Sequence, residues 1–398
     1  MTAVDRWTLP ALACLGGLVA VRLVAGFQFH AAAVVAPLLA AALGLSYTEV
    51  GTLIGAYVLP AVLLSVPGGL LAQRYGDRRV LLGALALSVA GGALTAVADG
   101  LPALIAGRVI SGAGGALVQI IVLKMATDRF AGARMSTATA TALTAWPLGI
   151  ALALAVLGAV AEAGGWRLAL AVSAGWPLAS LLFVLMAPRL FPESRRVEPV
   201  GPRGFTGAGF AGLMPAALIS LAWLIFNAGF SGFVAFAPTW LAGTGLPLDR
   251  AGAAASLTGW ALVCAQPWGG WLVDRVGRAS LVLSTGAILT ALAMWGTLAT
   301  GGWEPMFIVA GIVMGAGPGV LGSGLAMSAR IEQRALAFAL FATGSGAGSM
   351  LGPSVAGAVA DLTGSPAASI ALAGGLQVLA LAPWFGAMRR MRRSPAEQ

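Results

Sequence analysis

Gly68-Gly69-Leu70-Leu71-Ala72-Gln73-Arg74-Tyr75-Gly76-Asp77-Arg78-Arg79 returns 201 residues later as Gly269-Gly270-Trp271-Leu272-Val273-Asp274-Arg275-Val276-Gly277-Arg278. Each copy ends one long apolar run, turns over a glycine set among arginines, and opens another apolar run. A second pair agrees with the first: Ser111-Gly112-Ala113-Gly114-Gly115-Ala116-Leu117 is matched 203 residues on by Met314-Gly315-Ala316-Gly317-Pro318-Gly319-Val320. Internal similarity on this scale predicts two related half-bundles with a central site between them. The longest polar interruption, from Pro188 to Gly207, is rich in Pro, Arg and Glu and suits an irregular linker. It separates residues 1–187, a linker at 188–208 and residues 209–398.

Composition places both halves in a membrane. The chain is 59% hydrophobic and 9% charged, with 56 glycines in 398 residues, whereas soluble domains carry about 25% charged residues. Twelve apolar runs are long enough for the roughly 20 residues that cross about 30 Å of hydrocarbon. They cover approximately 11–39, 47–73, 79–98, 102–126, 135–161, 166–187, 209–240, 250–273, 279–299, 304–328, 334–361 and 365–388. The runs are continuous rather than alternating at period two, so they read as helices and not as barrel strands. The fold class expected is an all-α membrane protein.

The loops orient it. The N-terminus and every second loop hold Arg6; Arg74, Arg78, Arg79; Arg129, Arg134; Arg189, Arg195, Arg196, Arg203; Arg275, Arg278; Arg330, Arg334; and Arg389, Arg390, Arg392, Arg393, which are 18 of the 23 Lys and Arg residues. The opposite loops hold only Arg167 and Arg250. The positive-inside rule then puts both termini in the cytoplasm, which requires an even number of crossings. The net charge of +9 is mostly a topology signal. Arginines scattered over short loops do not form the single basic face of a nucleic-acid binder. The first apolar run is too long for a cleaved signal peptide and is expected to stay as an anchor. Cys14 and Cys264 lie in opposite halves without ligand-like spacing and read as packing residues, so neither a metal nor another cofactor is expected.

At this point the chain resembles the major facilitator superfamily over essentially its whole length. The resemblance rests on the repeated loop signature, the Arg108–Gly112–Gly114 pattern, and Gly352-Pro353. It implies twelve transmembrane helices in two pseudo-symmetric six-helix bundles. Gly69, Arg74 and Gly76 in the first copy, with Asp274, Arg275 and Arg278 in the second, become candidates for gating or conformational roles. The first copy departs from the family pattern, with Gln73 where an Asp is usual. A charge-paired gate is therefore better supported in the second half. Lys124-Met125-Ala126-Thr127-Asp128-Arg129-Phe130-Ala131-Gly132, with Trp146-Pro147-Leu148-Gly149-Ile150-Ala151, resembles the cyanate and nitroimidazole permease-like branch.

Three cations lie within apolar segments: Arg22, Arg108 and Lys124. None of these segments carries a carboxylate that could neutralise them at mid-depth. An Arg at the centre of a bilayer helix costs about 2.5–3.5 kcal/mol on insertion scales, so such residues usually face a cavity or a partner. Arg22, Gly26, Phe29 and His30 recur at helical spacing on one face of the first segment. Arg22 offers planar donors suited to a carboxylate or another oxyanion; the alternative is a structural Arg satisfied by carbonyls or a neighbouring helix. His30, the only histidine, can relay protons or can simply pack. Arg108 is placed roughly 9 Å below the outer boundary at 1.5 Å per residue. Gln119 follows in nearly the same helical direction, while Lys124 points about 160° away at 100° per residue. Lys124 is therefore either an anion relay or a side chain that snorkels toward the cytoplasmic surface beside Asp128.

In the second half Trp223, Phe226, Asn227 and Phe230 form one helical stripe. Trp146, Trp260, Gln266 and Trp268 are further lining candidates, and Pro147, Pro267, Pro318 and Pro353 are candidate bend sites. No P-loop, sizeable soluble domain or hydrolytic constellation is present, so neither ATP-driven transport nor enzymatic catalysis is expected. The reading is a secondary transporter moving a small organic or inorganic anion by alternating access. Arg22 is the central contact, with Arg108, Gln119 and Asn227 in support. Its expected partners are that anion, protons as one coupling option, and the lipid bilayer of an inner membrane in which the chain acts as a monomer. The rivals are a drug/proton antiporter of the same fold and a non-transporting receptor. The antiporter generally needs a membrane-embedded acid, and none is evident.

Overall fold

The computed structural model describes residues 9–130, 135–191, 213–328 and 333–393. The linker beyond Phe191, and with it Arg195, Arg196 and Arg203, lies outside the described residues, as do Arg6, Arg134 and Arg330. Among the described residues there is no strand. The helices are α1 (Leu9–Val34), α2 (Ala36–Leu43), α3 (Tyr47–Ala56), α4 (Leu59–Tyr75), α5 (Asp77–Val97), α6 (Leu101–Arg129), α7 (Met135–Leu143), α8 (Ala145–Met186), α9 (Met214–Gly243), α10 (Leu248–Val276), α11 (Ala279–Ala299), α12 (Glu304–Met314), α13 (Ala316–Ser328), α14 (Arg334–Thr363), α15 (Pro366–Leu379) and α16 (Leu381–Arg393). Among the described residues, nine stretches are long and apolar enough to cross a membrane.

Proline accounts for most of the interruptions. Breaks at Val35, Val58, Thr144, Gly315 and Ala380 each fall two or three residues before Pro37, Pro60, Pro147, Pro318 and Pro383 respectively. A proline ring clashes with the turn behind it and offers no N–H, so the ladder opens on its N-terminal side. Of the candidate bend sites, Pro147 and Pro318 follow breaks, whereas Pro353 sits inside continuous α14. α8 is two helical arms, because Gly164 and Gly165 depart from helical backbone and Gly165 has φ 76°.

The helices form two compact units, one of Met1–Gly44 with Ala56–Val200 and one of Leu45–Gly55 with Gly201–Gln398. The first carries a core around Leu18, Val21, Val24, Leu81, Leu85, Val118, Ile121 and Val122. Its decisive crossing joins α1 to α8. A Cβ on Gly26 would collide with the Trp146 carbonyl, and one on Gly149 would lie 2.8 Å from the Phe27 amide nitrogen. Backbone therefore meets backbone there, the close approach small residues permit in membrane helices.

In the second unit Gly344, Gly348 and Gly352 repeat every fourth residue along α14 and let it lie against α9 at Ser220, Leu224 and Ala228. This unit also includes nearly all of α3. Ser46 and Glu49 form a reciprocal capping box there, Ser46 N donating to Glu49 Oε2 at 2.8 Å and Glu49 N to Ser46 Oγ at 3.2 Å. Asp361, in the last turn of α14, accepts from Tyr47 N and Thr48 N at 2.8 Å each and from Thr48 Oγ1 at 2.5 Å. The first turn of α3 thus has its otherwise orphaned amides satisfied by side chains.

Both copies of the repeated signature place a glycine of positive φ at the turn between two helices. Gly76 (φ 92°) joins α4 to α5 and Gly277 (φ 63°) joins α10 to α11. The left-handed region favours glycine, so each copy needs one at the equivalent point.

Candidate functional site

α1 carries an unusual polar set through an apolar helix: Arg22, Gln28 and His30 are all buried. Arg22 is 6% exposed, and among the described residues its Nε and Nη1 have no hydrogen-bond partner. An unpaired guanidinium out of water loses hydration and gains nothing in return, which makes this group a strong attractor for an oxyanion. Both ring nitrogens of His30 are buried without a partner among the described residues, and its ring meets Phe29 edge-on at 4.5 Å.

Arg108 has a different environment. Its Nη1 donates to the Gln28 carbonyl at 2.5 Å and its Nη2 to the Phe29 carbonyl at 2.6 Å. Its guanidinium also lies over the Tyr57 ring, 4.7 Å from the centroid. Arg108 on α6 therefore ties α1 to the break between α3 and α4. Gln28 Nε2 reinforces the same region by donating to the Ser88 carbonyl on α5 at 3.1 Å. Phe29 stacks on Trp146 with centroids 5.2 Å apart and planes 27° apart, and approaches Tyr57 at 6.0 Å. Gln119, farther along α6, leaves its buried Oε1 without a partner among the described residues.

Lys124 is neutralised. Its Nζ lies 2.8 Å from Asp77 Oδ2 and 3.0 Å from Asp128 Oδ2, and Asp77 is only 2% exposed. Asp128 is a near neighbour on α6, but Asp77 opens α5, 47 residues away. That carboxylate could not be paired with Lys124 from either apolar segment read alone.

In the second unit Trp223 stacks on Phe226 at 5.2 Å and on Phe341 of α14 at 5.0 Å. Asn227 Nδ2 donates to the Trp223 carbonyl at 2.8 Å, and its Oδ1 receives a long contact from Ser345 Oγ at 3.5 Å. Trp260 and Gln266 both lie on α10, the former 36% exposed. Of the gating candidates, Gly76 sits at the α4–α5 turn, Arg74 lies over Tyr75 and Arg275 over Trp271, and Arg278 is exposed. The side chain of Asp274 and the surroundings of Gly69 lie outside what the structure describes.

The structure thus gathers Phe29, His30, Arg108 and Trp146 into one cluster, with Arg22 lower on the same helix. Phe226 and Asn227 belong to the second unit, and Lys124 to a separate ion-paired group. Sequence reading missed Tyr57, Asp77 and Phe341. Tyr57, a Tyr set well inside an apolar run and just ahead of a proline, carried a signal, and Asp77 stands within the repeated loop signature; Phe341 carried none.

The profile of the Major Facilitator Superfamily matches residues 18–259 and 228–398. No curated protein matches the sequence. Among solved structures, a bacterial homolog of the human lysosomal transporter Spinster, inward-facing and occupied, aligns with a TM-score of 0.80 at 16% identity, covering 98% of this chain and 100% of that one. The nucleoside transporter NupG, solved as a point mutant, gives 0.78 at 14% identity, covering 94% and 99%. The xylose transporter XylE from E. coli, in an inward open conformation, gives 0.71 at 18% identity, covering 94% and 95%. At such identities the likeness shows the fold, and the profile match over nearly the whole chain shows the lineage, which is one of transporters rather than enzymes. The chain belongs to the Major Facilitator Superfamily.

Proposed function

We propose that this chain transports a small anion by alternating access, as a monomer in a bacterial-type inner membrane, with Arg22 as the central anion contact. The observation that carries the reading is Arg22 itself: buried, cationic, and with two nitrogens unpaired among the described residues. Arg108 and Lys124 have protein partners, so the positive charge left for a ligand falls to Arg22. Among the described residues the one buried acid is Asp77, and it is held by Lys124. The drug/proton antiporter reading therefore lacks a free acid, among the described residues, to exchange protons against a cation.

The proposed topology is twelve crossings in two six-helix bundles with both termini cytoplasmic. It is supported by the arginine distribution and by the division of α8 into two arms at Gly164–Gly165. The narrower affinity with the cyanate and nitroimidazole permease-like branch remains part of this proposal. The test is uptake of labelled anions into proteoliposomes by wild type, Arg22→Ala and Arg22→Lys. Uptake is expected to fall by at least tenfold in Arg22→Ala, corresponding to about 1.4 kcal/mol or more of lost binding. Arg22→Lys is expected to recover only part of it, since Lys lacks the planar fork. Saturable uptake that survives Arg22→Ala unaltered would remove Arg22 from the site.

A further inference from the structure

α3 belongs by sequence to the first half, where it opens the apolar run 47–73, yet residues Leu45–Gly55 lie in the second unit. Helix breaks flank it on both sides. Gly44, with φ 64°, and the two residues after it precede α3, and Tyr57 with Val58 separates it from α4. Its seam with α14 is antiparallel and made of backbone at three successive levels. A Cβ on Gly357 would collide with the Tyr47 carbonyl, one on Gly51 with the Pro353 carbonyl, and one on Gly55 with the Met350 carbonyl. Glycines permit this close approach, and parting the helices at these levels disturbs no interdigitated side chains.

The polar tie sits at one end of this seam. Asp361 accepts from Tyr47 N and Thr48 N at 2.8 Å each and from Thr48 Oγ1 at 2.5 Å. Its carboxylate also stands at the positive end of the α3 dipole. α3 does not need Asp361 in order to start, because Ser46 and Glu49 already cap it from within its own chain segment. Asp361 is exposed, so water can take over each of its hydrogen bonds when the helices separate. The carboxylate therefore joins two elements that are each complete without it, through bonds that are strong enough to hold and accessible enough to release.

We propose that Asp361 is a latch on the outer side of the transporter. It holds α3 against α14 in the outer-closed form, and its release is a step in opening that side. The charge pattern of the loops puts the Asp361 end of α14 and the Tyr47 end of α3 on the face opposite the cytoplasm. The proposal rests on the topology and the alternating access proposed above and is independent of the anion reading of Arg22.

The experiment is double electron–electron resonance on the full-length chain in liposomes, on a background lacking Cys14 and Cys264. Spin labels go on Ala163→Cys, at the outer end of one arm of α8 in the first unit, and on Arg250→Cys, near the start of α10 in the second. Both positions are exposed. Without Asp361 substituted, one distance population is expected to dominate. Asp361→Ala is expected to raise the ratio of a longer-distance population to the main one at least fivefold. Asp361→Asn keeps an acceptor and should raise it less, as should Thr48→Val, which removes one of the three hydrogen bonds. These two milder variants decide the matter if Asp361→Ala does not fold. Unchanged distance distributions in all the variants that fold, even with a lowered melting temperature, would make Asp361 a plain helix cap and overturn the latch. Reaction of both cysteines with impermeant maleimide from the cytoplasmic side alone would overturn the topology, and the outer latch with it.

Discussion

Arg22, Arg108 and Lys124 are three cations on membrane-length helices, and their surroundings separate them into three kinds. Lys124 has two carboxylates, Arg108 has two carbonyls and an aromatic face, and Arg22 has two nitrogens unpaired among the described residues. Stability should respond accordingly. Replacing Arg108 with Met removes charge-assisted hydrogen bonds, each of which is worth about 1.5–3 kcal/mol. Arg108→Met is therefore expected to lower the melting temperature of the purified protein. Arg22→Met removes a buried charge that lacks compensation, so the melting temperature should hold or rise while uptake is lost. Equal destabilisation by the two substitutions would mean that Arg22 has a structural role after all. His30 has no acidic or hydrogen-bonding neighbour among the described residues through which a proton could pass. His30→Gln is expected to preserve whatever pH dependence uptake shows; a flattened pH profile would make His30 a proton carrier.

Among the helices, small side chains and caps decide which elements meet and where they stop. Asp361 joins the last turn of α14 to the first turn of α3 through three hydrogen bonds. Losing a side-chain cap costs about 0.5–2 kcal/mol. Asp361→Ala should therefore lower thermal stability, and Asp361→Asn should lose less because its carbonyl still accepts. The paired turns give an internal control on the repeat. Gly76→Ala and Gly277→Ala place a Cβ at positive φ and are each expected to destabilise by about 1 kcal/mol. Gly83→Ala, at a helical position with open space around it, should be neutral or stabilising. A harmless Gly76→Ala would mean that the turn relaxes away from its left-handed backbone.

For the molecule as a whole, the charge pattern makes a prediction about sidedness. On a background lacking Cys14 and Cys264, single cysteines at Arg189 and Arg389 should react with membrane-impermeant maleimide only from the cytoplasmic side. A cysteine at Arg250 should react only from the opposite face. Labelling of Arg250→Cys and Arg389→Cys from the same side would refute the five crossings that the proposed topology puts between those two positions.

The membrane class, the helices, the repeated half and the lineage could be read from the chain alone. Each rests on local or periodic properties: apolar length, arginine placement between runs, and a motif that recurs at a constant offset. The helix breaks follow this rule only in part: of the candidate bend sites Pro147 and Pro318 follow breaks, whereas α10 and α14 run on through Pro267 and Pro353. The fate of the cations could not be read that way. Arg108 is satisfied by carbonyls of a helix 80 residues away, and Lys124 by a carboxylate 47 residues away at the start of another helix. Neither separation has a periodicity, and both pairings exist only because the fold brings residues of different helices together. Trp146 stood among several scattered tryptophans until the Gly26–Gly149 crossing set it against Phe29. Hydrophobicity and charge specify what must be buried; packing specifies which buried groups find each other, and so which cation, Arg22, keeps two nitrogens unpaired among the described residues.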